Sequence, residues 1–326
     1  MEKKSKFRVL GVSLLCIIFL GILSTPSVAN GNYNIALSKG TEVFVVSHYD
    51  ETAWKTTVNT STTPSNWFEG DSNQTGAKSK YTIKGWNYVT WETYDVFASL
   101  FLPALFESDE LIPLIGLMNS QGYNETTINA NYTNTYNLWI GLKAEWNFTI
   151  GSFEEDPTEA NDALLIFKNP SDFEDILFDY NNLSAELNNI PALQFSGYSF
   201  PILEPDEFLW FFIFNGLTLG TPFNLYLEEL ISVLDCKNAT VSNNVLTINH
   251  AGETIYAVEI TYSSEGTMIL FVVKDVSNNI IYQIVSRNSE WIFYTIIIIF
   301  AGCIGIVSIY LVFRQRKISL KRKRKI

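Results

Sequence analysis

Histidine is nearly absent from the chain: 326 residues include two, His48 and His250. Neither stands in H-E-x-x-H or any other His/Cys ligand spacing, so a zinc site has no donor set. Cysteine is as scarce, with Cys16, Cys236 and Cys303. With the termini set aside only Cys236 remains, which excludes an intramolecular disulfide. The fold must rest on its own core, and Cys236 reads as a buried small hydrophobe. Nucleotide and acyl-transfer signatures are missing too. There is no G-x-x-x-x-G-K-[ST] loop, no G-x-G-x-x-G turn and no G-x-S-x-G elbow. Carboxylates are plentiful, but Glu154-Glu155-Asp156, Asp172/Glu174/Asp175 and Glu204/Asp206/Glu207 lack calcium-loop spacing. They read as solvated faces or helix starts. No metal and no cofactor are expected, and the inventory does not support an enzyme.

Positive charge is missing from the body of the chain. Residues 30–290 hold 33 acidic and 10 basic residues; the other 12 of the 22 Lys/Arg lie at the two ends. That asymmetry marks a membrane-oriented chain. At the start, Lys3, Lys4, Lys6 and Arg8 precede the apolar stretch 9–23, and Ser27-Val28-Ala29 offers small residues for cleavage. Residues 1–29 therefore read as a signal peptide, the alternative being an uncleaved anchor. At the end, 291–313 is a 23-residue stretch without a charge, bounded by Trp291, Tyr294 and Tyr310. At 1.5 Å per residue it is about 34 Å long, enough for one transmembrane helix. Eight of the 13 residues of 314–326 are Lys or Arg, which makes that tail cytoplasmic and the acidic body extracellular, at the plasma membrane. Anionic lipid headgroups are the expected contact of the tail; nucleic acid is not an expected partner. Sequons at Asn59, Asn73, Asn124, Asn131, Asn147, Asn182 and Asn238 suit a glycosylated exterior.

Between the termini the pattern is α+β: antiparallel sheets, clearest as a C-terminal meander, covered by helices. "TEVFVVSH" (41–48) and "YTIKGWNYVTW" (81–91) read as strands, with a Ser/Thr/Asn/Gly loop between them that is expected to be exposed. Strand character returns over 135–151 and in "ALLIFK" (163–168), while 154–162 reads as an acidic linker or loop. Residues 170–188 read as a helix. Ser108 and Thr221 read as caps of two further helices, with Pro222 at the first helical position. Four short runs between 245 and 285 read as a meander. Asp95, Phe97, Ser108 and Asn124 match Asp206, Phe208, Thr221 and Asn238 at offsets of 111 to 114 residues. Two tandem repeats, 30–153 and 154–290, follow as an expectation.

What is abundant is aromatic side chain: 14% of the chain is Phe, Trp or Tyr. "FLWFFIFNGL" (208–217) concentrates it, with Pro205, Asp206 and Glu207 as a helix start and Gly216 as a stop. A helix of about 11 residues spans about 16 Å and cannot cross a bilayer. Two readings stay open. The segment is a core helix covered on all sides, or it lines an apolar cavity. In the second reading Phe208, Trp210, Phe211, Phe212 and Phe214 contact the ligand, joined by Phe97, Phe101 and Phe106 from the matching run 96–106.

The stretch "FNLYLEELISVLDCKNATVSNNVLTINHAGETIYAVEITYSSEGTMILFVVKDVSNNIIYQIV" (223–285) leads from an amphipathic helix through a sequon into a meander. With the signal peptide and the Lys/Arg-capped span, the chain resembles uncharacterised surface-anchored proteins of archaea, notably of the Asgard group. The resemblance implies location and glycosylation and carries no activity. The meander also looks like lipoprotein carriers with a half-barrel sheet, although the lipid-attachment cysteine is missing. The leading expectation is a surface binding module for an apolar or lipid ligand. A structural or adhesive envelope component, with an envelope protein as partner, is the alternative; a hydrolase using acidic residues is the third.

Overall fold

Burial alternates along the strands. In β1 (Gly40–Tyr49) Phe44 and Val46 are buried while their neighbours are not, and β7 (Tyr256–Tyr262) buries Val258, Ile260 and Tyr262. That period of two turns one face of each strand to a core. In a computed structural model, which describes residues 33–214, 216–250 and 255–287, nine such strands form one antiparallel sheet. The expected signal peptide, transmembrane span and basic tail lie outside the described residues. Among the described residues, no helix is long and apolar enough to cross a membrane.

After β1 come α1 (Glu51–Thr57), β2 (Lys78–Glu92) and a helical run, α2 (93–105), with a π segment at Phe97–Phe101. Then follow α3 (Ser108–Ser120), α4 (Glu125–Asn131), β3 (Thr135–Thr149), β4 (Glu159–Phe167), α5 (Asp172–Asn188), α6 (Pro191–Phe195), α7 (Pro205–Phe214) and α8 (Phe223–Val233). The chain closes with β5 (Ala239–Ser242), β6 (Val245–His250), β7, β8 (Met268–Asp275) and β9 (Ile280–Ser286).

The strand order is β4-β3-β2-β1-β9-β8-β7-β6-β5. Two meanders, one from each half of the chain, therefore join edge to edge where β1 pairs with β9 through Val45↔Val285 and its neighbours. Both halves enter one continuous sheet, and β3 pairs with β4 across the 153/154 boundary. The expected linker at 154–162 is in part strand, since β4 begins at Glu159.

Helix α5 buries Phe173, Ile176, Tyr180, Leu183 and Leu187, a 3.6-period stripe aimed at the sheet. Its buried Asp179 accepts hydrogen bonds from Thr93 Oγ1 (2.9 Å), Tyr136 OH (2.9 Å) and Asn134 Nδ2 (3.1 Å), which offset the cost of burying a carboxylate. Two helix starts differ by one residue from expectation. Glu107, not Ser108, is the N-cap of α3, because Glu107 and Glu110 form a reciprocal capping box. Pro222, not Thr221, is the N-cap of α8; Thr221 instead pairs its backbone with Asn34.

The core is one large cluster running from Tyr33 to Ile284, with a smaller cluster of Leu37, Ile83, Leu164 and Ile166. Leu165 and Phe167 belong to the first cluster and Leu164 and Ile166 to the second, as successive side chains on opposite faces of β4 must. The loop between α1 and β2 departs from its expected exposure. It packs Trp67 and Phe68 against the main core, and Tyr282 OH donates to the carbonyl of Ser72 within it (2.8 Å). Removing the two rings' apolar area from water favours this inward path.

Candidate functional site

Helix α7 ends as its sequence dictates. Gly216 takes φ +86°, and Leu217 N–H bonds back to the carbonyl of Phe212 (3.0 Å), closing the last turn. From there residues 216–221 cross the fold as a strap. Leu165 N–H donates to Gly216 O (2.8 Å), and Thr218 N–H donates to Leu165 O (2.9 Å). Leu219 N–H then donates to Gly266 O in the β7–β8 turn (3.0 Å), and Thr221 N–H to Asn34 O (2.8 Å). The strap thus ties the β4 edge of the sheet to the turn between β7 and β8. Two glycines permit this approach: a Cβ on Gly216 would lie 2.4 Å from Ala163 O, and one on Gly266 2.1 Å from Leu219 O.

Between the strap, the α1–β2 loop and the sheet lies a cavity of about 400 Å³, within the range that holds small organic ligands. One side is apolar. Trp67 and Phe68 come from the loop, Ile213 and Phe214 from the last turn of α7, Phe271 from β8 and Ile284 from β9. The rings interlock edge to face, with Phe68 4.9 Å from Phe271 and Trp67 5.5 Å from Trp210 behind it.

The other side is polar and comes from β2, β3 and β4. Register puts Tyr81 opposite Glu145 and Glu145 opposite Glu159, with Lys143 two residues before Glu145 on the same face. Lys143 is buried and paired with Glu145. Asn147 Nδ2 donates to Glu69 Oε2 (2.6 Å). Burial, with Glu42 nearby, pushes the Tyr81 phenol above its ordinary range, so it remains protonated and able to donate. Glu69 and Glu159 are exposed and mark the side open to water. Among the described residues, no group of three or more His, Cys, Asp or Glu could hold a metal ion.

The eight aromatic residues expected at a ligand divide. Phe101 stacks on Phe211 at 4.9 Å, so the two aromatic runs do meet. They meet in filled space. Phe97, Phe101, Phe208 and Phe212 are fully buried, and the gap beside Phe97 and Phe101 is about 10 Å³, room for one water at most. Phe106 packs on Tyr198 and Phe200, and Trp210 on Trp67 and Phe214. Of the eight, Phe214 lines the large cavity. Trp67, Phe68, Lys143, Glu145, Glu69 and Glu159 were not anticipated. The available signals were an aromatic pair inside a polar loop and the i, i+2 spacing of Lys143, Glu145 and Asn147 on one face of a strand.

Of the acidic clusters, Glu204/Asp206/Glu207 serves the fold. Asp206 accepts the backbone N–H groups of Lys237 and Asn238 (both 3.2 Å), and Glu207 accepts that of Glu204 (3.0 Å). Cys236 is half-buried, its thiol pushed up to about 12 by burial and then by Asp206, which makes it unreactive. Of the sequon asparagines, Asn59, Asn131, Asn182 and Asn238 are exposed, while Asn73, Asn124 and Asn147 are half-buried. No protein-family model, curated protein or solved structure matches the chain.

Proposed function

We propose that the chain is a single-pass surface protein whose acidic exterior domain binds a small apolar ligand in the cavity behind the 216–221 strap. The carrying observation is the cavity itself: about 400 Å³ with one aromatic side, against a gap of about 10 Å³ beside Phe97 and Phe101. Aromatic side chains that face an opening forgo packing worth about 25 cal/mol per Å² of apolar area, and an apolar ligand restores it. The location rests on the basic, apolar and acidic segments of the sequence, with residues 1–29 as signal peptide, 291–313 as anchor and glycans on the exterior. The duplication rests on the matched spacing of Asp95 to Asn124 and Asp206 to Asn238.

The test is calorimetric titration of 1-octanol into the full-length protein in nanodiscs, with empty nanodiscs as the blank. Saturable binding at one site is expected, and Ser79→Leu, which fills the cavity from β2, removes it. Absence of binding by the wild type to octanol and to charged octyl compounds alike would sink the reading. An adhesive role has its own observation: Phe195 and Ile112 are 91% and 81% exposed on α6 and α3, two helices in mutual contact. Loss of cell aggregation in Phe195→Ser with octanol binding intact would favour that second role.

A further inference from the structure

The polar side of the cavity states what the head of the ligand should be. This inference rests on the binding reading above and narrows it to a chemical class. The groups there are Glu69, Glu145 and Glu159 against one cation, Lys143. Lys143 is paired with Glu145. Neither Glu69 nor Glu159 has an ion-pair partner among the described residues. Glu145 and Glu159 are direct cross-strand neighbours, an arrangement of like charges that is unfavourable unless a cation lies beside it. Lys143 answers one of the two carboxylates, and nothing described answers the other. The opposite side offers the faces and edges of Trp67, Phe68, Phe214 and Phe271. Those rings accept an alkyl chain, and their negative faces also favour a cation.

We propose that the cavity takes a cationic amphiphile: an alkyl or isoprenoid chain against the aromatic side, with an ammonium head against Glu69, Glu145 and Glu159. A carboxylate or phosphate head would meet an excess of negative charge and leave the repulsion across β3 and β4 in place. The exterior domain as a whole adds to this selection. With 33 acidic and 10 basic residues in 30–290, its field concentrates cations at the opening and disfavours anions.

Three octyl compounds of equal chain length separate head from tail: octyltrimethylammonium, 1-octanol and octanoate. Each is titrated by calorimetry into the full-length protein in nanodiscs of zwitterionic lipid at low salt, against empty nanodiscs. The expected order is ammonium tightest and octanoate weakest, with about tenfold at most between ammonium and octanol from two exposed carboxylates at low salt. The double variant Glu69→Gln/Glu159→Gln, altered at two exposed side chains that leave the Lys143–Glu145 pair in place, brings ammonium and octanol to within about twofold. Equal or tighter binding of octanoate overturns the proposal, as does an ammonium preference that persists in the double variant. Octanol binding alone overturns it while leaving the cavity reading standing. Absence of all three overturns both.

Discussion

Helix α7 belongs to two regions that differ in one respect. Its first turns carry Phe208, Leu209 and Phe212 into a region packed by Phe101, Phe167 and Phe173, where a gap beside Phe97 and Phe101 is about 10 Å³. Its last turn presents Ile213 and Phe214 to a cavity of about 400 Å³. Aromatic side chains pack on both sides, so aromatic content alone does not make a cavity. The difference is backbone. In the first region α2 and α5 lie directly against α7 and their side chains interdigitate. In the second the strap leaves α7 and is held by backbone bonds to Leu165 and Gly266.

The largest predicted effect contrasts the two ends of α7. Phe212→Ala removes a fully buried ring from the filled region and costs about 3–5 kcal/mol, whereas Phe214→Ala, at the cavity, costs about 1–2 kcal/mol. Denaturant midpoints read both. Equal costs would mean that the two regions are packed alike.

Next in size is the strap. Gly216→Ala places a methyl group against Ala163 O at a positive φ, for a loss on the order of 1–3 kcal/mol. It also moves a wall of the cavity. Octanol affinity is expected to fall together with stability, whereas Phe212→Ala lowers stability and leaves affinity close to wild type wherever the protein remains folded.

A smaller effect follows from charge in the filled region. Burial, and then Asp175, raises the Asp172 carboxyl from 3.8 to about 6. Between those values the folded state holds a proton that the unfolded state has released. Stability therefore falls as pH rises through that window and is flat above it. Asp175 is raised in the same direction by burial and by Asp179. Melting temperatures followed across the window should drop less in Asp172→Asn than in the wild type. Parallel curves would remove Asp172 as the source. The smallest change belongs to the surface: Phe195→Ser is expected to shift stability by about 0.5 kcal/mol or less.

Most strands were legible because period-two alternation and turn residues are local. The four runs between 245 and 285 correspond to β6, β7, β8 and β9, and the stop at Gly216 ended α7 where its left-handed backbone does. The short edge strand β5 was missed, since four residues carry too little pattern. The site was much less legible. Lys143, Glu145 and Glu159 meet only through pairing across β3 and β4, and Trp67 reaches Phe271 across some 200 residues of sequence. Both depend on register and loop path, which no local pattern encodes. The aromatic run that drew attention, 208–214, was informative about the core and pointed to the cavity only through its last members.

Two methionines report the comparison directly. Met118 is fully buried in the filled core on α3, and Met268 lines the cavity on β8. In full-length protein labelled with ¹³C at the methionine methyl groups and held in nanodiscs, added octyltrimethylammonium should shift the Met268 resonance saturably and leave Met118 in place. A Met268 resonance that stays fixed under saturating ligand, or a Met118 resonance that moves as far, would contradict the account.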